Sequence, residues 1–201
     1  ATVKDQAPSD RNTVIFVLGG PGSGKGTQCS ELKNHHGFIH VSTGDLLREA
    51  KDGDGPNAKY IADTMANGDL VKSDILVEII AERFKKSKGE KFLLDGFPRS
   101  QENIDSWMKI IGTTVDTPLA IYFNCSNETM KNRILERSKT SGRVDDNEEA
   151  IVNRLKVFED QTMPILNYFE SKNKLVRIDC EAAPAEVFKS TQSHLKEKKV
   201  I

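Results

Sequence analysis

A glycine-rich stretch containing one lysine lies between the first apolar run of the chain and the first helical pattern. The apolar run, Thr13 to Leu18, is β-branched and aromatic, which is typical of a strand buried on both faces of a parallel sheet. The glycine-rich stretch reads GGPGSGKGT over residues 19–27, and a helix is predicted from Lys25 to His36. Backbone N–H groups of such a turn and the positive end of the helix attract phosphate oxygens. The strand–loop–helix context therefore predicts a phosphate-binding loop.

The loop departs at one position from the strict Walker pattern. Gly26 follows the lysine, and the hydroxyl comes one residue later, at Thr27. Direct ligation of a metal by this hydroxyl is therefore not assumed. Lys25 is expected to place its charge on the β- and γ-phosphates of a bound nucleotide.

Strand and helix patterns alternate along the whole chain. Strands are predicted over residues 13–18, 38–41, 91–95, 119–123 and 175–178. Helices are predicted over residues 25–36, from 45, from 57 to 68, from 73, and over 100–109, 127–137, 147–171 and 185–196, with a polar, turn-rich stretch at 138–146. Such alternation predicts an α/β fold, with a parallel sheet between two layers of helices and right-handed crossovers.

Charge and cysteine content limit the classes of partner and compartment. Lys and Arg number 29 against 30 Asp and Glu, so the formal net charge is −1, which argues against a general binder of nucleic acid or membrane surfaces. No apolar run approaches the ~20 residues that span a bilayer. The three cysteines contain no CxxC pair, so we interpret them as small buried side chains in a reducing compartment. We expect the cytoplasm, with the nucleus as the alternative.

Two further groups of residues are predicted to take no part in catalysis or metal binding. Residues 1–11 are polar, without the apolar centre of a signal peptide, and are interpreted as a flexible tail. The four histidines, His35, His36, His40 and His194, show no metal-ligand spacing and are interpreted as structural or exposed. The tail and the histidines are therefore left out of the predicted site.

A carboxylate and several arginines could complete a phosphate site. Asp95 ends the third predicted strand, where it could hold Mg²⁺ or the waters of that ion. ATP carries about −4 and a nucleoside monophosphate about −2 at neutral pH. One guanidinium group can donate two hydrogen bonds to the oxygens of a phosphate. The candidate basic side chains are Lys25, Arg48, Arg99, Arg137, Arg143 and Arg154.

Five motifs in order resemble the nucleoside monophosphate kinases of the adenylate kinase superfamily. They are GGPGSGKGT at 19–27, STGDLLR at 42–48, GDLV at 68–71, DGFPR at 95–99 and GRVDDNEE at 142–149. The resemblance covers nearly the whole chain and is closest to the eukaryotic short-lid UMP/CMP kinases. It implies a P-loop NTPase fold of three layers, α/β/α, on a five-stranded parallel sheet, and a monomer that binds ATP and a nucleoside monophosphate.

The resemblance also implies a division of the chain. Residues 12–201 would form one kinase domain whose core comprises 12–41, 73–137 and 147–201. A monophosphate-binding segment, 42–72, and a lid, 138–146, would close over the substrates.

The resemblance implies a role for each residue that matches one of the family motifs. The ATP phosphates would lie on Gly20, Pro21, Gly22, Ser23, Gly24, Lys25, Gly26 and Thr27, with Arg133 against the adenine and Arg137 beside the phosphates. The monophosphate would be bound by Thr43, Arg48, Val71, Gly96, Phe97, Arg99, Asn103, Arg143 and Arg154. The catalytic residues would be Lys25, Asp95, Arg99, Arg137, Arg143 and Arg154, with Asp95 holding Mg²⁺ through water.

The motifs divide on which monophosphate is bound. Asn103 stands where adenylate kinases carry Gln, and PRSQENIDSW at 98–107 resembles UMP/CMP kinases. Thr43 and GRVDDNEE resemble adenylate kinases instead. We favour UMP and CMP, because Asn103 is expected to face the base edge. Adenylate kinase is the alternative. A non-catalytic nucleotide-binding module, or a P-loop kinase for another small acceptor, is more remote, because Arg48, Arg99 and Arg154 suggest a second phosphate site.

Overall fold

The computed structural model describes residues 10–67, 69–141 and 148–201. The described residues form five strands and eight α-helices. The strands are β1 (Thr13–Gly19), β2 (Ile39–Ser42), β3 (Lys91–Asp95), β4 (Ala120–Asn124) and β5 (Leu175–Asp179). The helices are α1 (Lys25–His36), α2 (Thr43–Asp52), α3 (Ala58–Ala66), α4 (Ser73–Lys85), α5 (Gln101–Ile110), α6 (Asn127–Ser141), α7 (Glu148–Ser171) and α8 (Pro184–Glu197).

All strand pairs are parallel, in the order β2-β3-β1-β4-β5. The register places Val17 and Ser42 on either side of Asp95, so β1, β2 and β3 end together. Because ligands of open α/β sheets bind beyond the carboxyl ends of the strands, this register brings the loops after these three strands to one place. The predicted three-layer fold with a five-stranded parallel sheet is confirmed.

Alternate residues of β1 and β3 point into two separate apolar layers. Ile15, Val17 and Leu93 belong to one buried cluster, and Phe16 and Leu94 belong to the other. A strand covered by helices on both faces buries every side chain, which is why these strands read as continuous apolar runs. The three cysteines are buried, as predicted.

Most element ends lie within one or two residues of the prediction, and one differs by more. The helix predicted to end at Arg137 runs on to Ser141, so the turn predicted from residue 138 is wrong for its first four residues. Ser138 and Thr140 donate their hydroxyls to carbonyls three residues earlier in α6, so polar residues without apolar periodicity remain helical there. Residues 142–147, including Arg143, lie outside the described residues.

Three helices separate β2 from β3. Ser42 caps α2 through its side chain, which accepts from the backbone N–H of Asp45 at 3.5 Å. Asn57 precedes α3 as predicted, but its side chain makes no cap bond to a described residue. Tyr60 of α3 accepts from the backbone N–H of Lys72 at 3.2 Å and so joins α3 to the start of α4. Within the described ranges, no helix has the length and apolar character needed to cross a membrane.

Candidate active site

The glycine-rich loop connects β1 to α1 at the carboxyl edge of the sheet. Gly24, the residue before α1, lies in the left-handed region at φ 87° and has no side chain to cap the helix. The N–H groups of the first turn of α1 are therefore left for a ligand, at the end of the helix that carries the positive partial charge. This geometry supports the predicted phosphate-binding role of the loop.

Gly22 packs against the backbone of α6. Its φ is 78°, and a Cβ atom added there would lie 2.6 Å from the Met130 carbonyl oxygen and 2.9 Å from Ile134 Cγ1. Neither a helix carbonyl nor a fully buried side chain can move away cheaply. The loop conformation therefore depends on the absence of a side chain at this residue.

Lys25 and Asp95 form an ion pair where the loop meets the end of β3. Lys25 Nζ lies 3.0 Å from Asp95 Oδ1, and His40 Nε2 lies 3.0 Å from Asp95 Oδ2. Burial on its own would raise the pKa of Asp95, but the hydrogen bond with His40 and the charge of Lys25 outweigh it and hold that pKa below its usual value. Asp95 is therefore a buried carboxylate with a cation beside it, next to the predicted phosphate site.

His40 was interpreted from the sequence as structural or exposed, and the structure places it inside this site. The side chain of His40 is 24% exposed and is held against Asp95 by the alignment of β2 with β3. Cys29 of α1 completes the neighbourhood. Burial, and after it the negative charge of Asp95, raise the pKa of the Cys29 thiol. No spacing in the sequence links these three residues, because the register of two strands and one helix brings them together.

A cleft of about 350 Å³ opens beside the loop. Gly19, Pro21 and Lys25 of the loop line it, as do Gly96 and Arg99 of the turn after β3. The residues of α7 in the lining are Asn153, Arg154, Val157, Phe158, Gln161 and Thr162. The structure thus brings together three of the predicted basic side chains, Lys25, Arg99 and Arg154.

The α7 wall of the cleft was not identified from the sequence. Val157, Phe158 and Gln161 lie three, four and seven residues after Arg154, and so share its face of the helix. Counting helical spacings from Arg154 could have found them.

The turn after β3 is built around Gly96, whose φ is 82°. Arg99 donates from Nε to the Gly96 carbonyl at 2.9 Å, and its backbone N–H donates to Asn103 Oδ1 at 2.9 Å. Asn103 Nδ2 donates to Ser73 Oγ at 2.8 Å, and both residues are buried. The Asn103 amide thus joins the turn to the first residue of α4. Ser73 is a residue near the predicted base site that sequence reasoning missed.

The remaining predicted substrate residues are spread around this edge of the sheet. Thr43 is buried, with its hydroxyl 3.5 Å from the Asp95 carbonyl, and Phe97 is buried in the apolar layer. Arg48 pairs with Asp45 on the exposed side of α2. Val71 is partly buried before α4. Neither Arg48 nor Asn103 is among the described residues that line the cleft.

Arg133 connects α6 to two loops. Its guanidinium donates to the Cys180 carbonyl at 2.6 Å and to the Ser23 carbonyl at 3.4 Å. It therefore lies between the phosphate loop and the residue after β5, where the predicted contact with adenine remains a prediction. Arg137 lies one turn further along α6 and is partly buried.

Most of the chain matches one known protein family. The sequence profile of the family described as adenylate kinase matches residues 17–174. The chain belongs to the adenylate kinase family. The matched range contains the loop, Asp95, Arg99, Asn103, Arg133 and Arg154, and it ends just before β5.

Three relatives illustrate the similarity within this family. UMP-CMP kinase 3 of Oryza sativa subsp. japonica is 40% identical over 181 residues, covering 90% of this chain and 84% of the relative. Uridylate kinase of Saccharomyces cerevisiae is 38% identical over 192 residues, covering 94% and 93%. Adenylate kinase isoenzyme 5 of Homo sapiens is 42% identical over 177 residues, which cover 87% of this chain but 31% of that protein.

Proposed function

We propose that this protein catalyses the reversible transfer of the γ-phosphoryl group of ATP to a pyrimidine nucleoside monophosphate, UMP or CMP, with dCMP as a further acceptor. The observation that carries the proposal is agreement between family and site. The chain shares about 40% identity over nearly its full length with relatives named UMP-CMP kinase. Residues of its phosphate-binding loop line one cleft together with Arg99 and Arg154.

The arrangement suits direct transfer between two phosphates. The accepting phosphate is already ionised at neutral pH, so no general base is required. Catalysis then depends on positioning and on neutralising charge in a loose, in-line transfer. Lys25 would bind the β- and γ-phosphates, and Arg99 and Arg154 would hold the acceptor phosphate and the transferring group. Arg137 and Arg143 are proposed to add positive charge on the lid side.

Asp95 fits a magnesium ion carried in with ATP. Mg²⁺ prefers oxygen ligands and keeps several waters, and one buried carboxylate beside the phosphate loop matches that preference. When bound, the ion would neutralise part of the phosphate charge. Asp95 would hold the waters of the ion, and Lys25 would leave its present ion pair to reach the phosphates.

Exclusion of water is the remaining requirement, because water could take the phosphoryl group in place of the monophosphate. We propose that the monophosphate-binding segment, residues 42–72, and the lid, residues 138–146, close over the substrates around a core of 12–41, 73–137 and 147–201. We also expect the enzyme to act as a monomer.

The deciding experiment compares acceptors side by side. ADP release from ATP and Mg²⁺ is measured with CMP, UMP, dCMP and AMP at equal concentrations. CMP and UMP should each exceed AMP in kcat/KM. A clear preference for AMP would replace the proposal with an adenylate kinase. The absence of diphosphate product from every acceptor would end the kinase assignment.

Adenylate kinase is the second candidate, because Thr43 and a human adenylate kinase isoenzyme support it. The isoenzyme is 42% identical over 177 residues of this chain. Thr43 lies beside the Asp95 carbonyl at the base of the proposed monophosphate site. The two candidates share every phosphate contact and differ only in how the base is bound.

Asn103→Gln should shift the preference toward AMP. An amide offers two N–H donors and a carbonyl with two lone pairs. After its bonds to Ser73 and to Arg99, Asn103 keeps one donor and one lone pair, which matches the edge of a pyrimidine. A longer side chain would disturb that position. We expect the kcat/KM ratio of AMP to CMP to rise about tenfold or more, because a wrong base leaves buried polar groups unpaired.

The control for Asn103→Gln is Gln101→Glu, an exposed change at the start of the same helix. It should leave the acceptor ranking as it is in the parent. The same AMP and CMP rates serve as the readout. An unchanged ranking in Asn103→Gln as well would remove Asn103 from base selection.

Thr43→Ala should shift the preference in the opposite direction, toward UMP and CMP. The substitution removes a buried hydroxyl whose partner in the structure is the Asp95 carbonyl, at 3.5 Å. A smaller, apolar side chain at this position removes a polar contact available to a purine base. The expected change is about threefold to tenfold in the ratio of CMP to AMP rates. If that ratio fell or stayed constant, base choice would have to lie elsewhere.

A further inference from the structure

Three side chains of metal-binding type converge beneath the phosphate loop. Cys29 comes from α1, His40 from β2 and Asp95 from the end of β3. One ligand atom of each, a sulfur, a ring nitrogen and a carboxylate oxygen, lies within 4.8 Å of the other two. Within the described residues this is the one group of three or more such side chains that meets this spacing. The proposed reaction assigns no role to Cys29 or to His40.

The ligand types match a borderline-soft divalent cation. Zn²⁺ binds thiolate sulfur at about 2.3 Å, imidazole nitrogen at about 2.0–2.1 Å and carboxylate oxygen at about 2.0–2.2 Å, usually with four ligands. Ligands at those distances around a tetrahedral ion lie roughly 3.3–3.6 Å apart. Because the observed separations are at most 4.8 Å, the longest of them needs a contraction of up to about 1.2–1.5 Å. Three protein ligands would leave one position for water.

Asp95 is already oriented for this role. Its carboxylate is nine-tenths buried, and His40 Nε2 lies 3.0 Å from Oδ2. The Lys25 ammonium lies 3.0 Å from Oδ1 in an ion pair, and this oxygen is buried. Oδ1 could therefore bind a metal ion once Lys25 has moved away from it.

The positive charge of Lys25 disfavours binding of a metal ion at Asp95, but the lysine side chain can move away. Its side chain is 27% exposed on a flexible stem, whereas Cys29 and Asp95 are fixed in α1 and β3. An ion bound to Asp95 would drive Lys25 away from the carboxylate by repulsion between like charges. Occupation of the cluster would therefore disturb the loop as well as Asp95.

We propose that Cys29, His40 and Asp95 form a binding site for a thiophilic divalent cation of the Zn²⁺ type in the nucleotide-free protein. On coordination, sulfur donates an electron pair to the metal and the thiol proton leaves to solvent; no oxidation occurs. The site shares Asp95 with the proposed magnesium position but selects a different class of ion, because Mg²⁺ disfavours thiolate and imidazole ligands. Binding of the ion does not depend on the kinase assignment.

Cobalt binding to the full-length chain tests the proposal directly. The probe is Co²⁺ added to the Cys125→Ser/Cys180→Ser double variant, in which Cys29 is the only remaining thiol. We expect a thiolate-to-cobalt charge-transfer band that saturates at one equivalent and is abolished by Zn²⁺. Adding Cys29→Ala should remove the band, and His40→Gln should weaken cobalt binding at least about tenfold. Thermal melting of each variant shows that it is folded.

Two results would overturn the proposal. One is a folded double variant that shows no charge-transfer band up to millimolar Co²⁺. The other is a band that persists after Cys29→Ala or is unaffected by His40→Gln. Failure of the kinase assay alone would leave the cobalt result intact.

Discussion

Replacement of Lys25 by methionine should lower kcat/KM for ATP by roughly 10³-fold, because it removes the positive charge expected on the β- and γ-phosphates. Methionine keeps most of the length of the side chain, so the loss should come from charge. The measurement is the steady-state rate of ADP formation at saturating CMP.

The control is Lys85→Met, which removes an exposed lysine that pairs with Glu82 in α4. It should retain the parent rate. Lys25→Met also leaves Asp95 buried without its cation, so some loss of stability is expected. Adding Asp95→Asn should recover stability but not activity. A rate near that of the parent in folded Lys25→Met would remove this lysine from the mechanism.

Gly22→Val should destabilise the protein by about 2–5 kcal/mol, from the left-handed backbone and the overpacking together. The new side chain would meet the Met130 carbonyl and Ile134 in α6, and these groups can move only by displacing the helix. For a chain of this size the expected fall in Tm is about 5–15 °C. Binding of ATP should weaken in parallel, because the loop must open to accommodate the side chain.

Gly26→Ala is the matched control for Gly22→Val. A Cβ atom there would meet nothing within 4 Å, and Gly26 is the second residue of α1. Because alanine favours a helix by up to about 1 kcal/mol over glycine, the Tm should hold or rise. Thermal melting followed by circular dichroism compares the two variants. An equal fall in Tm for both would mean that contact with α6 is not the cause.

The order of strands and helices could be predicted from the sequence because the fold buries both faces of the sheet. Continuous apolar runs such as Val14 to Leu18 and Phe92 to Leu94 then mark strands directly. The residues at which helices and strands end were harder to predict than their order. The end of α6 was placed too early because helical residues on the solvent side need no apolar period, and hydroxyl groups can bond within the helix.

The local parts of the candidate site could be predicted, and the contacts between distant residues could not. The loop from Gly19 to Thr27 is continuous in sequence, so its backbone geometry follows from its glycines and the helix after it. The contact between His40 and Asp95 joins residues 55 positions apart, and it exists because β2 pairs with β3 in a particular register. Ser73 meets Asn103 across two helices for the same kind of reason.

The contact between Lys25 and Asp95 neutralises these two charges against each other at the end of β3. A bound anion that drew the Lys25 ammonium away would leave the buried Asp95 carboxylate without its cation, with the His40 imidazole beside it. Leaving that charge unpaired costs free energy. The cost is removed when the ligand carries a metal ion that takes the place of Lys25 beside Asp95 Oδ1. The cleft should therefore admit a metal-complexed triphosphate more readily than the bare molecule, and selection of that form would precede any chemistry.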